Sequence, residues 1–550
     1  MAVTRRLLVS NLLLICVICA GEPRGAAART PPPAAGRAAA AAPRAPASTC
    51  RPGQLQAIVA QARALREGEL SFWLKHGLDR EHGGFHATMD RGGVAGEPSD
   101  KGLVQQARHV WTFSHAAASG LLRPADAAAA EAAARSAWAF MADHMQRAER
   151  GTWRWLVSRD GRRVVQDGPN VYGQWFVVYA ATQYYKAFGD RGALALALAT
   201  FNATDAAFHD ARAGGYREDG SAPQLGKLRL AGGGPPRSLN VLLHGTEALA
   251  ALYEASGDAA VLARLTESLR LATRLVTADD VLYEFYDPAT WAPVGPTSVQ
   301  WGHNLESAWL MTVSADMLRR RGALSPTAAA AYTDRVAAVA ARAAREGYDA
   351  ASGGVYEAGV PGSAPGQGKG ASTDKVWWVQ AEALLALWQL HARAARGGAG
   401  GAGAACAYLD QLEGTLKFIA AHLVDPADGG VLWSVGADGA QPGSYMGTRK
   451  GSPWKASYHA GRALMLLEEW AGAAGAAAGA GGRAAGGGAG GAAAGGGLAD
   501  AALRASGTAP AVPPDAQEGT AAAAAAAQRL PTAARTKLPL AARAASAPAP

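Results

Sequence analysis

Cysteine is scarce: there are four in 550 residues, and two of them, Cys16 and Cys19, fall within the first twenty positions. The remaining pair, Cys50 and Cys406, is too small a set for a zinc cluster or a disulfide framework. Excess charge is missing from the middle of the chain as well. Six arginines stand against Glu22 in residues 1–50, and six basic residues against three acidic ones in 471–550, so the formal +8 resides in the two ends and the middle is neutral. Basic charge carried by low-complexity ends is not a structured phosphate-binding face, which argues against a nucleic-acid partner. No glycine-rich loop ending in Lys-Ser/Thr is present to cradle a nucleotide. The apolar run Leu12 to Ala20 is too short to span a bilayer comfortably, so stable membrane insertion is not expected.

That run follows Arg5-Arg6 and ends on a small residue, which reads as a secretory signal over residues 1–20. A transit peptide to a plastid or other organelle is the rival, because the first fifty residues are rich in arginine and poor in acid. Asn202-Ala203-Thr204 fits a glycosylation acceptor and favours secretion. Residues 21–50 are expected to be a disordered Pro/Ala-rich linker and 471–550 a disordered Ala/Gly-rich tail, since neither holds enough large apolar side chains to offset the entropy of ordering.

What is present, over 51–470, is helical in texture. Segments such as Asp126 to Arg147, Asp258 to Leu275 and Ala328 to Glu346 place apolar residues three and four apart among Ala, Leu, Glu and Arg. One turn recurs between them: Asp79 to Phe85, Asp210 to Tyr216, Asp349 to Val355 and Asp425 to Val431 all read Asp-x-x-x-Gly-Gly-apolar. A repeated turn between helical hairpins implies a closed or stacked array of similar units. The expected architecture is therefore all-α, a single toroid of hairpins.

Histidines and aromatic residues gather in a few segments of this region. Arg108 and Trp111 lie one helical turn apart, a pairing suited to a polar ring because the guanidinium donates while the indole stacks. His244 and Glu247, and His303 and Glu306, share the spacing i, i+3, so each glutamate can reach its histidine or a common ligand. A carboxylate neighbour fixes the imidazole tautomer and favours its protonation. Metal ligation by these pairs is disfavoured, since di-iron bundles use the reverse order, Glu-x-x-His, with further glutamates. Trp377 and Trp378 cannot both face a core, so one is expected at an opening, with Gln380, Glu382 and Lys455 able to bond sugar hydroxyls.

Eight segments in order along the chain, Phe72-Trp73 through Phe85, Arg108 to Ser114, Tyr172 to Phe176, Asn240 to Glu247, Leu282 to Asp287, Gly302 to Glu306, Trp377 to Ala383 and Trp454 to His459, resemble the N-acylglucosamine 2-epimerase superfamily, and most of all its cellobiose 2-epimerase branch. The resemblance implies an (α/α)6 barrel with the site at one end, no metal and no cofactor. It also implies that His303 and His459 are the acid/base pair, with His244 as a third histidine, Arg108 near the reacting oxygen and Glu306 a supporting carboxylate. Trp377, Trp378 and Trp454 match positions associated with sugar stacking, and Trp111, Glu247, Gln380 and Glu382 join the expected binding set. Two departures, Leu242 for a frequent histidine and Asn304 for a frequent aspartate, bear on disaccharide preference. The expected partner is a small reducing sugar, the expected assembly a monomer or homodimer. A mannose-type aldose-ketose isomerase, an inverting glycosidase and an inactive carbohydrate-binding protein are the competing readings. The glycosidase would need two opposed carboxylates where histidines are prominent here.

Overall fold

The computed structural model describes residues 50–148, 151–218, 235–397, 401–440 and 445–484. The expected signal, the linker and most of the tail lie outside them. Among the described residues are twelve α-helices: α1 (Gln54–Phe72), α2 (Leu103–Ala118), α3 (Pro124–Phe140), α4 (Val171–Phe188), α5 (Arg191–Phe208), α6 (Leu239–Ser256), α7 (Ala259–Leu275), α8 (Trp301–Arg320), α9 (Pro326–Glu346), α10 (Trp377–Ala395), α11 (Gly401–Phe418) and α12 (Tyr458–Ala484). The last of these continues past residue 470, where the sequence reading ended the folded part.

The even-numbered helices form an inner ring. Each packs on the next, and α12 returns to α2, closing an (α/α)6 barrel, while the odd-numbered helices lie outside as the second members of the hairpins. Composition explains the division. Helix α2 is buried at every position from Leu103 to Ser114, as a segment enclosed by neighbours requires. Helix α7 buries one stripe, Val261, Leu265, Ser268, Leu269, Leu271, Ala272 and Leu275, the periodicity of a helix wetted on one side. Starts are marked by local chemistry: Asn170, Asp190, Ser238, Asp258 and Ser325 each accept a backbone N–H of the helix they open. No helix among the described residues is long and apolar enough to cross a membrane.

The Asp-x-x-x-Gly-Gly turns carry the chain from outer to inner ring. In the first, the Asp79 amide donates to the Gly84 carbonyl and the Gly83 amide to the Asp79 carbonyl. Both glycines have positive φ, as do their counterparts in the other three copies, a conformation that side-chain-bearing residues rarely adopt. The aspartates hold buried cations: Lys101 at 2.9 Å from Asp79, Lys375 at 2.8 Å from Asp349 and Lys450 at 3.1 Å from Asp425.

A second repeated device sits at the fourth residue of the inner helices. Gln106, Gln174, Asn304 and Gln380 each accept from the amide and donate to the carbonyl of one residue in the preceding turn: Phe85, Trp153, Leu282 and Val355 respectively. The short strands that lead into the inner helices pair with strands of the following hairpin unit, as β1 (Lys101–Gly102) with β2 (Leu156–Val157). Cys50 and Cys406, judged insufficient for a framework, form one bridge that ties the start of α1 to α11 across 356 residues of sequence.

Candidate active site

The inner helices advance about 100° per residue. A residue two positions before or after the outward-pinning fourth position therefore points roughly the opposite way, into the barrel. Those positions carry Arg108 on α2, Tyr172 on α4, His244 on α6, Glu306 on α8, Trp378 and Glu382 on α10, and His459 on α12. The first two turns of six helices thus deliver the chemistry to one mouth.

Each of three histidines is held at Nδ1 by a carboxylate. His244 meets Glu247 at 2.9 Å, His303 meets Glu284 at 2.7 Å and His459 meets Glu382 at 2.7 Å. An ionised carboxylate can only accept, so it holds the proton on Nδ1 and leaves Nε2 for other work. The expected i, i+3 pairing holds for His244 and Glu247. It fails for His303, whose partner is Glu284 in the preceding loop; Glu306 turns instead to Arg462 at 2.8 Å.

Arg462 ties the site together. Fully buried, it bonds Glu306, Glu382 at 2.8 Å, Glu247 and the Tyr458 hydroxyl. Glu382 also accepts from the Trp309 indole at 2.8 Å, and Tyr458 donates to Glu247 at 2.8 Å. Two histidine-bearing carboxylates therefore share one guanidinium. Glu306, Glu382 and His459 bring one potential metal-ligand atom each within 4.8 Å of one another, but Arg462 already supplies the positive charge between the two carboxylates.

The histidines differ electrically. Burial drives His459 down to about 3 and His244 down to about 4, against the opposing pull of Glu382 and Glu247. His303 also resists charge through burial, yet Glu284, with Glu382 beyond it, carries it above the ordinary histidine value. It is the most open of the three, with 16 % of its side chain exposed against 3 % for His244 and 7 % for His459. The Trp378 ring lies beside both His303, at 4.7 Å between centroids, and His459, at 5.9 Å.

Arg108 occupies the other side. It donates to the Tyr172 hydroxyl at 3.0 Å and to the Trp454 carbonyl, and its guanidinium lies 4.6 Å from the centre of the Phe176 ring. Phe176 and Tyr172 in turn contact His244, and Trp454 packs near Tyr172 and Trp155. Burial raises the Tyr172 hydroxyl to about 12, so it stays a donor.

Several expected binding residues have other employment. Gln380 spends both amide atoms on Val355, because the fourth position of α10 faces the outer ring. Asn304 and Leu242 occupy the same position on α8 and α6. Leu242 lines a small apolar space with Tyr216, Ser268 and Trp291, so both departures concern packing between the rings. Trp111 is buried below Arg108, stacked on His115 and Tyr179. Trp377 packs on Trp433 at 4.3 Å, leaving Trp378 as the indole at the opening. Burial draws Lys455 down to about 8 against the opposing charge of Glu69. Glu284 and Arg462 were not among the residues expected at the site from the sequence. Arg462 follows His459 by three residues, the same spacing that singled out the other two histidines.

Residues 83–460 match the family model described as N-acylglucosamine 2-epimerase (GlcNAc 2-epimerase). The cellobiose 2-epimerase of Bacteroides fragilis is 29% identical over 405 residues, covering 72% of this chain and 95% of that protein. The solved cellobiose 2-epimerase of Spirochaeta thermophila aligns at 29% identity with a TM-score of 0.62, covering 76% of this chain and 97% of that one. A D-mannose isomerase structure, at 20% identity and a TM-score of 0.58 over 76% of this chain and 97% of its own, shares the fold.

Proposed function

The chain belongs to the N-acylglucosamine 2-epimerase family, and from that premise we propose that it interconverts the C2 epimers of a reducing sugar, of glucose/mannose, cellobiose-like or N-acylglucosamine type. The observation that carries this reading is the placement of His303 and His459 against one indole, Trp378, each with its Nδ1 committed to a different carboxylate.

In the proposed cycle the bound sugar opens to its aldehyde. A neutral imidazole takes the C2 proton on Nε2, and the C–H electron pair passes into an enediolate. His459, kept neutral by burial, suits that first step, while His303, biased toward its protonated form by Glu284, suits return of a proton to the opposite face. The roles exchange in the reverse direction. Arg108, always cationic, stabilises the developing oxyanion with Tyr172 beside it, in the field of several converging helix N-termini. Trp378 and Trp454 present the apolar faces against which a sugar ring packs.

The bridge between Cys50 and Cys406 is of a kind that persists in oxidising compartments, which supports the secretory reading of the N-terminus over the organellar one. Product analysis after incubation with mannose, glucose, N-acetylglucosamine and cellobiose in deuterated water tests the proposal. We expect a 2-epimer labelled at C2, and no turnover by His303→Ala or His459→Ala variants that retain the helical circular-dichroism signal. A ketose product would assign an isomerase instead, and turnover by either variant would reject the histidine assignment.

A further inference from the structure

Three carboxyl groups converge on the Arg462 guanidinium: Glu247, Glu306 and Glu382. All three are buried, each with no more than 3 % of its side chain exposed. Among the described residues, Arg462 is the single cation that bonds them. The next cation, Arg108, is engaged with a hydroxyl and a carbonyl, and His303, biased toward its protonated form, is matched by its own carboxylate Glu284, so that even if Arg108 is counted, two positive charges face three acids. His244 and His459 are neutral by burial and add nothing. Ionised carboxylates taken out of water without compensation are costly, and a buried site relieves the cost by holding a proton.

The hydrogen bonds say where the proton resides. Glu247 is satisfied at both oxygens, by Arg462 and Tyr458 on one and His244 on the other. Glu382 is satisfied likewise, by Arg462 and His459 on one oxygen and Trp309 on the other. Glu306 accepts from Arg462 through Oε1, while its Oε2 is buried without a partner among the described residues. A buried acceptor with no donor is the weak point of any ionised arrangement.

We infer that Glu306 is carried as the neutral acid, protonated on Oε2, and serves as a hydrogen-bond donor kept for an oxygen of the bound sugar. The groups that face it agree on the direction. Burial and the charges of Glu382 and Glu247 favour the protonated form, Arg462 and His303 oppose it, and the net effect raises Glu306 well above the ordinary carboxylate range. The tyrosines nearby, Tyr172 and Tyr458, are themselves held neutral. Glu306 thus reaches the sugar itself, and its proton also balances the cage that orients His244 and His459. The inferred acceptor rests on the sugar reading above; the protonation state does not.

Infrared spectroscopy of the full-length protein labelled with [13C]glutamate is the test, because it needs no substrate. At neutral pH we expect a carboxylic-acid C=O band in the wild type that is missing in Glu306→Gln. Absence of any protonated glutamate band in the wild type would overturn the inference whether or not a variant folds, as would a wild-type minus Glu306→Gln difference spectrum without one, since burial also raises Glu69 and Glu357, whose bands the two proteins share. Kinetics give a second readout: Glu306→Ala should lose activity and Glu306→Gln, neutral and still a donor, should recover at least about tenfold of that loss. Glu382→Gln should show no such tolerance, losing on the order of 100-fold or more. Equal losses for Glu306→Gln and Glu306→Ala in folded protein would refute the donor role. A silent enzyme with the infrared band intact would instead count against the sugar reading alone.

Discussion

Replacing Gln380 with methionine keeps the volume of the side chain and removes its amide. In the structure that amide holds the Val355 N–H and C=O, both at 2.7 Å, and Val355 is 1 % exposed. Two buried backbone groups then lose their partners, and each orphan costs roughly 1–3 kcal/mol. Partial relaxation of the glycine-rich turn places the expected loss toward the lower end of that range, at about 3 kcal/mol in all. Equilibrium urea unfolding, followed by circular dichroism, should show the midpoint fall with little change in slope. Measured at a temperature where the variant is folded, KM for the sugar should equal that of the wild type, because the side chain faces the outer ring. An unchanged midpoint together with a raised KM would refute the reasoning and return Gln380 to the sugar-binding set.

Glu284→Gln removes the charge that holds His303 above its ordinary value, leaving burial to dominate. Activity that requires protonated His303 is lost as pH rises through the folded-state pKa, so this alkaline limb should move to lower pH in the variant, read from kcat against pH; an unmoved limb would separate Glu284 from the acid step. Reduction of the bridge, or Cys50→Ser with Cys406→Ser, releases α1 from α11 and should lower stability by about 2–4 kcal/mol in thermal or urea unfolding. Activity at low temperature should survive, since neither cysteine approaches the site.

The helical class, the repeated Asp-x-x-x-Gly-Gly turn and the candidate histidines were legible in one dimension because they depend on local rules. Helical periodicity spans a few residues, paired glycines mark positive φ within a single turn, and a histidine beside a glutamate at i, i+3 is visible on one helix. Those rules also set the limits. The i, i+3 rule gave His244 its partner and misdirected His303, because a loop residue, Glu284, reaches the ring first. Gln380 and Glu382 look equally suited to sugar hydroxyls in the sequence, yet two residues on a helix is about 200°, so one pins the outer ring and the other holds His459.

By itself the sequence determined that this chain coils into hairpins joined by glycine turns, and which residue types could move a proton. Only the tertiary structure decided which carboxylate serves which imidazole, that Cys50 meets Cys406, and that three glutamates from three helices share one guanidinium. Those pairings are set by the direction in which each inner helix presents its faces once the ring has closed. No local spacing encodes that closure.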